Sequence, residues 1–184
     1  MTEQDLESLR YPIGRFVTPE NITSEMLEEY KHVLANFPQK LKSEVENLNA
    51  VQLDTPYRVD GWTVRQVVHH CADSHMNAFI RFKLALTEDA PIIKPYPEEK
   101  FAELADAKQN EISSSIGILV GVHERLSILL SSLTQDDFSR EYVHPQYGKR
   151  FRLDVAVALY AWHCNHHLSH ITQLKKRNHW TSYM

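Results

Sequence analysis

The amino-acid sequence predicts an all-α protein: a four-helix bundle with one or two short extra helices and a short extended loop or hairpin before the last helix. Four long segments repeat apolar residues at three- and four-residue steps, which is the periodicity of amphipathic helices. Prolines and glycines separate these segments, and strand-like sequence is confined to one short stretch. Glycine is scarce, with 5 of 184 residues, and neither a Walker loop nor a dinucleotide-binding pattern occurs.

The N-terminal part of the chain begins with an arm and continues into the first long helix. Residues 1–22 contain two prolines, one glycine and little periodicity, which predicts an irregular arm before a single bundle domain at residues 23–184. The first long helix is predicted from Thr23 to about Leu48, and Pro38 would kink it.

The second long helix has a clear start signal. After a connection at residues 54–61, Thr63 and Gln66 form a capping-box pattern directly before an apolar run. In this pattern the threonine hydroxyl accepts from the Gln66 amide while the glutamine side chain reaches back. We therefore predict a helix from there to about Thr87, because prolines interrupt the sequence soon afterwards.

The C-terminal half contains the other two long helices and the extended segment. A shorter helix is predicted over residues 98–108, and a long one over residues 113–133. Residues 140–152 favour an extended loop or a short hairpin. Asp154 is the expected N-cap of the last helix, which runs to about Arg177.

Composition and charge exclude several classes of function. The formal net charge is −4, so the chain lacks the basic surface that is typical of nucleic-acid binding. No apolar run approaches the roughly 20 residues of a membrane span, and the acidic N-terminus has no secretory signal. Cys71 and Cys164 are too few for a disulfide framework, and we expect both to be small buried residues. These features predict a cytoplasmic protein with no nucleic-acid or membrane partner.

Histidine is abundant, with 11 residues, and most of these fall in two windows on the second and last long helices. The two windows contain His69, His70, His75, His163, His166, His167 and His170. In the second window, His163 pairs with His167 and His166 pairs with His170, each four residues apart and on one helix face. Two imidazoles so placed can bind one ion at about 2.0–2.1 Å. Spacing alone leaves both pairs open.

A histidine of the first window would complete a three-histidine site, because bundles hold metals through side chains that point inward from facing helices. His69 and His70 point about 100° apart on a helix, so only one of them can easily be a ligand. Three neutral imidazoles suit zinc, nickel, copper or iron better than magnesium or calcium. Such a site leaves a position open for water or substrate, which is typical of catalytic sites.

Motifs in three parts of the chain form a recognisable combination. The sequence reads Tyr-Pro-Ile-Gly at 11–14, Gly-Trp-Thr-Val-Arg-Gln-Val-Val-His-His at 61–70, Leu-Tyr-Ala-Trp-His at 159–163 and His-His-Leu-Ser-His-Ile at 166–171. In these motifs the chain resembles the YfiT group of metal-dependent hydrolases, which belongs to the DinB-like superfamily. The likeness covers nearly the whole chain.

The resemblance implies a ligand set and an assembly. The family fold is a four-helix bundle whose metal is held by one histidine of the second helix and two of the last, which correspond by motif to His70, His163 and His167. It implies zinc, or nickel as an acquired substitute, and a homodimer. His170 stands where many members carry glutamine, so it is expected beside the ligands. Cys71 departs from the leucine expected in this group and should not disturb the metal.

The function that the resemblance implies is hydrolysis of a small-molecule substrate. A metal-bound water would attack an amide or ester carbonyl. No sequence feature identifies the general base, and Asp73 and His170 are the candidates. The alternative is a metal-dependent transferase that joins a low-molecular-weight thiol, of the bacillithiol or glutathione type, to an electrophile, as relatives in the superfamily do. A third hypothesis is a non-enzymatic metal-binding stress protein.

Overall fold

A computed structural model describes residues 2–180 of the chain. In chain order the elements are α1 (Glu3–Arg10), α2 (Ser24–Val45), α3 (Ala50–Leu53), α4 (Val64–Thr87), α5 (Glu98–Phe101), α6 (Ala105–Gln109), α7 (Ile112–Ser131), α8 (Gln135–Phe138), β1 (Glu141–His144), β2 (Lys149–Arg152) and α9 (Leu153–Arg177). The four long helices α2, α4, α7 and α9 form a bundle, and one two-stranded sheet accompanies them. This arrangement confirms the predicted fold class.

The long helices pack as a ring in which each contacts two neighbours. α2 packs against α7 and α9, and α4 packs against the same two helices. The most completely buried side chains between them include Leu34, Phe37, Leu41, Phe82, Leu119, Leu126, Leu130 and Ile171. This core sets the relative position of α4 and α9, which carry the two histidine windows.

The start of α4 has the predicted capping box. The hydroxyl of Thr63 accepts from the Gln66 amide at 3.1 Å, and Gln66 Oε1 accepts from the Thr63 amide at 2.9 Å. Gln66 Nε2 also donates to the carbonyl of Ala102 at 2.7 Å. Because Gln66 lies one turn before His70, these bonds hold the part of the helix from which the first histidine window projects.

Two predicted features at helix starts are wrong. Residues 1–22 are not irregular throughout, because α1 forms among them with a capping box between Thr2 and Asp5. This helix buries no residue, so apolar periodicity does not reveal it. Arg152, not Asp154, is the N-cap of α9. The Asp154 carboxylate accepts from the following amide at 2.7 Å within the first turn, where the helix dipole also stabilises it.

The short helices also differ from the sequence-based expectation. Two helices, α5 and α6, replace the single helix predicted over residues 98–108, and apolar periodicity predicts neither α3 nor α8. The only sequence signals of those two helices are their capping boxes, Asn49 with Gln52 and Thr134 with Asp137. Each of these short helices has only one turn or little more, which is too short for apolar periodicity to register. The long helices agree within a few residues: α2 ends at Val45 rather than near Leu48, and it continues through Pro38.

The hairpin expected before the last helix is present. β1 and β2 pair in antiparallel fashion with Tyr142 opposite Phe151, and the two rings stack with their centroids 5.6 Å apart. Gly148 closes the turn with φ +58°, a conformation that glycine adopts without strain. The backbone of Val143 also exchanges hydrogen bonds of 2.9 and 3.0 Å with residues 91–93. The hairpin is therefore held against the chain that leaves α4.

Helix α7 is, among residues 2–180, the one helix long and apolar enough to cross a membrane by length and hydropathy. In the structure its face with Leu119, His123 and Leu126 is buried against α2 and α4. An apolar stripe that packs on neighbouring helices is the arrangement expected of a helix in a bundle.

We expect the substitution Thr63→Ala to lower the free energy of unfolding by about 1 kcal/mol, because it removes the hydroxyl that caps α4. The matched control is Thr2→Ala, which removes the same kind of cap from α1, a helix that buries no residue. The control should change the stability by less than about 0.5 kcal/mol. Urea unfolding followed by circular dichroism measures both changes, and equal losses would contradict the different roles of the two helices.

Candidate metal centre

Three of the histidines singled out from the sequence meet between α4 and α9. His70 projects from α4, and His163 and His167 project from α9 one turn apart. One ring nitrogen of each lies within 4.8 Å of those of the other two. The Nε2 atoms of His70 and His163 are 3.2 Å apart. The two histidine windows are therefore brought together across the helix interface.

The spacing of these imidazoles fits a first-row metal ion. Two nitrogens bonded at 2.0–2.1 Å in a tetrahedral arrangement lie about 3.3–3.4 Å apart, and the 3.2 Å between His70 and His163 is close to that value. His70 and His167 are buried, whereas His163 is partly exposed. Three such ligands would leave a fourth position open.

Burial keeps the three rings neutral. It lowers the pKa of His70 to about 3, and the nearby His166 adds to this effect. The pKa values of His163 and His167 are also well below the usual one, because of burial first and of the neighbouring imidazoles second. A neutral imidazole has a free nitrogen lone pair, and this is the form that binds a metal. The rings are therefore ready for a cation at neutral pH.

The three histidines line a space of about 850 Å³, which we call the histidine cleft. Its other walls come from the N-terminal arm, the loop before α4, the segment after α4, the hairpin and α9, and they include Tyr11, Tyr57, Trp62, Glu103, Tyr147 and Trp162. A second cavity of about 710 Å³ shares His163 with the cleft. In that cavity Arg81 donates to the hydroxyl of Tyr160 at 3.0 Å. The centre thus faces a mixed polar and aromatic space of small-molecule size.

The second pair that spacing allows, His166 and His170, lies in the same cleft. With His167 it forms another group whose ring nitrogens lie within 4.8 Å of one another. His170 Nε2 donates to the carbonyl of Arg10 at 3.1 Å. The His170 ring also stacks on the ring of Tyr57, with the two centroids 3.9 Å apart. The Nδ1 atoms of these three histidines are buried and have no hydrogen-bond partner within residues 2–180. The fold therefore brings both predicted pairs together, with His167 in both groups.

Two other candidates of the first window lie elsewhere. His69 Nδ1 is 2.7 Å from the hydroxyl of Ser115, and its Nε2 is 3.3 Å from a backbone carbonyl. Asp73 does not line the histidine cleft, and burial together with the neighbouring Asp106 raises the pKa of its carboxyl. Of the adjacent pair His69 and His70, it is His70 that contacts α9 histidines.

Sequence reasoning gives no role to two buried histidines, one of which contacts the centre while the other contacts the first. His75 Nε2 lies 3.1 Å from Nδ1 of His163, and His123 Nε2 lies 2.9 Å from Nδ1 of His75. His75 is five residues from His70 and on a different face, and His123 stands alone on the apolar face of α7. Helical spacing therefore does not reveal them. The sequence signal that could have revealed them is a histidine on a buried helix face, because a buried imidazole needs a hydrogen-bond partner.

Both cysteines are buried free thiols, as predicted. Burial raises the pKa of Cys71 and of Cys164, which disfavours the thiolate form that binds metals and acts as a nucleophile. Cys164 Sγ comes within 3.9 Å of His75 Nε2. Neither thiol belongs to the two groups of ring nitrogens in the cleft.

Four long helices that bring a cluster of buried, neutral imidazoles to one cleft define a helical-bundle protein with a candidate metal centre. The sequence matches the DinB superfamily over residues 34–171. The chain belongs to that superfamily, as its motifs predicted.

Similar proteins match this chain over nearly its whole length. A protein of Bacillus cereus (strain ATCC 10987 / NRS 248) named "Putative metal-dependent hydrolase" is 50% identical over 175 residues, which are 95% of this chain and 100% of the relative. YfiT of Bacillus subtilis (strain 168), named in the same way, is 48% identical and covers 95% of this chain and 98% of its own. The solved structure of that YfiT matches with a TM-score of 0.92, covers 95% of this chain and 99% of its own, and is described as "a probable metal-dependent hydrolase with an unusual four-helix bundle topology".

We expect the metal-free protein to lose stability as the pH falls from about 6.5 towards 4. Burial lowers the pKa of His70 and His170 to about 3 and that of His166 to about 4, whereas an unfolded histidine titrates near 6.5. The unfolded state therefore binds more protons in this range, so the stability is fully present above about pH 6.5 and is lost below it. Urea unfolding in the presence of EDTA at several pH values measures the slope.

The variant His166→Gln tests the assignment of that slope. It removes one of the titrating rings, so the free energy of unfolding should vary less with pH, by roughly 1 kcal/mol per pH unit at most. A slope as steep as that of the wild type would contradict a contribution from His166. A metal-free wild type whose stability is flat between pH 6.5 and 4 would contradict the neutral, buried state of the cluster.

Proposed function

We propose that this protein is a metal-dependent hydrolase whose ion is held by His70, His163 and His167. The observation that carries the proposal is the convergence of three neutral imidazoles from α4 and α9, two of them buried and one partly exposed, with ring nitrogens within 4.8 Å of one another. The 3.2 Å between Nε2 of His70 and Nε2 of His163 favours this set. His170, the member of the other group that the motif places beside the ligands, already donates its Nε2–H to the carbonyl of Arg10.

Zinc is the proposed metal and nickel the second candidate, because three neutral nitrogen ligands suit both ions. When bound, the ion would act as a Lewis acid on a carbonyl group and lower the pKa of a water molecule towards about 7. The protein supplies aromatic walls beside the proposed ligands. The ring of Trp62 lies over His70 with its centroid 4.6 Å away, and Tyr57 stacks on His170 at 3.9 Å.

For proton transfer, His170 is the better placed of the two candidates named from the sequence. Its Nε2–H is held by the Arg10 carbonyl, so its Nδ1 carries the lone pair and has no partner within residues 2–180. It lines the histidine cleft, whereas Asp73 does not. We therefore propose that His170, rather than Asp73, faces the bound substrate through Nδ1. Its pKa of about 3 makes it a weak base at neutral pH, so its part is to contact the substrate rather than to take up a proton.

The proposed substrate is a small molecule with an amide or ester group. The cleft of about 850 Å³ and the adjoining cavity of about 710 Å³ share Glu98, Glu99, Tyr147 and His163, and together they offer room for such a molecule beside the proposed ligands. In the adjoining cavity the Arg81 guanidinium provides a positive charge next to the Tyr160 hydroxyl. A homodimer and a cytoplasmic location remain predictions.

The matched pair His70→Gln and His69→Gln tests the metal site. Elemental analysis of the purified wild type should find a first-row metal, and His70→Gln should lose most of it because one of three ligands is gone. His69→Gln should retain the metal, since the His69 ring contacts Ser115 instead. A wild type without metal, or equal retention in both variants, would overturn the proposed ligand set.

A second experiment separates hydrolysis from thiol transfer. Panels of ester and amide substrates are incubated with the protein in the absence of thiol, and in parallel an electrophilic dye, monochlorobimane, is incubated with bacillithiol, glutathione or cysteine. We expect thiol-independent turnover that EDTA abolishes and that added zinc restores. Metal-dependent conjugation without hydrolysis would support the transferase instead, and inactivity in both assays would support the non-enzymatic metal-binding protein.

A further inference from the structure

A buried chain of hydrogen bonds crosses all four long helices and ends on a proposed metal ligand. It runs from the Leu34 carbonyl in α2 to His123 in α7, then to His75 in α4 and His163 in α9, with successive distances of 2.6, 2.9 and 3.1 Å. His75 is 0% and His123 2% exposed. Phe37 packs on both rings, with centroids 5.5 and 5.6 Å away. Polar groups so deeply buried are costly unless each is hydrogen-bonded.

This series of hydrogen bonds begins at the carbonyl of Leu34, which has no amide donor within its own helix. In an α-helix the carbonyl of one residue accepts from the amide four residues later. The residue four positions after Leu34 is Pro38, which lies inside α2 and has no amide hydrogen. The Leu34 carbonyl is therefore free for another donor. Because a carbonyl only accepts hydrogen bonds, Nδ1 of His123 must carry the hydrogen.

The hydrogen on Nδ1 of His123 determines which ring nitrogen carries hydrogen in His75 and in His163. A neutral imidazole carries hydrogen on only one ring nitrogen, and burial lowers the pKa of His123 to about 4. With hydrogen on Nδ1, the Nε2 of His123 is bare and accepts from Nδ1–H of His75. His75 then has a bare Nε2, which accepts from Nδ1–H of His163.

These hydrogen bonds hold His163 in one defined tautomer. Its hydrogen lies on Nδ1, and its lone pair lies on Nε2, the atom 3.2 Å from Nε2 of His70. Within residues 2–180, no carboxylate is hydrogen-bonded to any of the three rings, so no counter-charge favours a protonated ring. The opposite tautomer of His163 would place a hydrogen where a metal would bind.

We propose that His75 and His123 are positioning residues that fix the tautomer of His163 and hold its Nε2 lone pair ready for the metal. The proposal rests on the proposed function only for the use of that lone pair. Groups that hydrogen-bond the second nitrogen of a metal-binding histidine are usually carboxylates, backbone carbonyls or waters, and their loss costs 10–100-fold in affinity. Here the carbonyl of Leu34 acts through two intervening rings.

The tautomer can be measured without any metal. Nitrogen-15 NMR of the EDTA-treated wild type distinguishes protonated from bare ring nitrogens. We expect His123, His75 and His163 all to carry hydrogen on Nδ1. A His163 with hydrogen on Nε2 in the folded, metal-free protein would overturn the proposal, whatever the protein does with metals.

Variants then test the effect on the metal. His123→Phe removes the link to the carbonyl at a residue that contacts none of the proposed ligands, and we expect zinc affinity to fall by about 10–100-fold in competition with a chromogenic chelator. His123→Gln should restore most of it, because its amide can donate to Leu34 while its oxygen accepts from His75. Leu119→Ala, a fully buried substitution on the same helix, controls for loss of stability and should bind zinc as the wild type does.

The outcomes separate this proposal from the metal site itself. If the wild type binds zinc and folded His123→Phe binds it equally well with His163 in the same tautomer, the positioning role is wrong and the metal site stands. If Leu119→Ala weakens zinc binding as much as His123→Phe, the effect is one of stability and the positioning role is also wrong. If the wild type binds no metal, the proposed function fails, and the NMR measurement still decides the tautomer.

Discussion

The need of buried imidazoles for hydrogen-bond partners governs the interior of this bundle. A core made only of leucine and phenylalanine would impose no such need. Here one layer contains His75 and His123, which are nearly inaccessible to solvent, and an unpaired polar group in such a place costs about 1–3 kcal/mol. A domain is stable by only about 5–15 kcal/mol. The backbone carbonyl of Leu34 that accepts from His123 is therefore a structural requirement as well as a feature of the site.

The histidines of the cleft show a conflict between stable folding and metal binding. Neutral rings whose bare nitrogens face one another can bind a cation, but these nitrogens do not stabilise the fold in the absence of a cation. Among residues 2–180, no group hydrogen-bonds the buried Nδ1 of His166, His167 or His170, so the bundle loses part of its possible stability at the cleft. Sites that break the usual rules of packing are where function is expected. Three of the six buried side-chain atoms without a hydrogen-bond partner among residues 2–180 belong to α9, and the others lie at Arg58, Tyr96 and His144.

The sequence predicts the long helices well and the site only in part. Periodicity locates α2, α4, α7 and α9 because each buries a continuous apolar stripe, whereas α1 buries nothing and leaves no such trace. Helical spacing pairs His163 with His167 because that contact is local. The approach of His70 to His163, and the chain through His123, depend on how helices pack, which no local pattern contains. One local clue does exist, since a proline within a helix always frees the carbonyl four residues before it.

The N-terminal arm is mostly exposed, and yet it forms part of the wall of the histidine cleft. The Arg10 carbonyl accepts from His170, the Tyr11 ring lies 5.9 Å from that of His166, and the Gly14 carbonyl accepts from the indole of Trp162 at 3.3 Å. Segments with few buried contacts open at low free-energy cost while the rest of a domain stays folded. An affinity tag fused to this end, or a protease cut within it, would therefore alter the wall of the cleft while the four long helices stay folded.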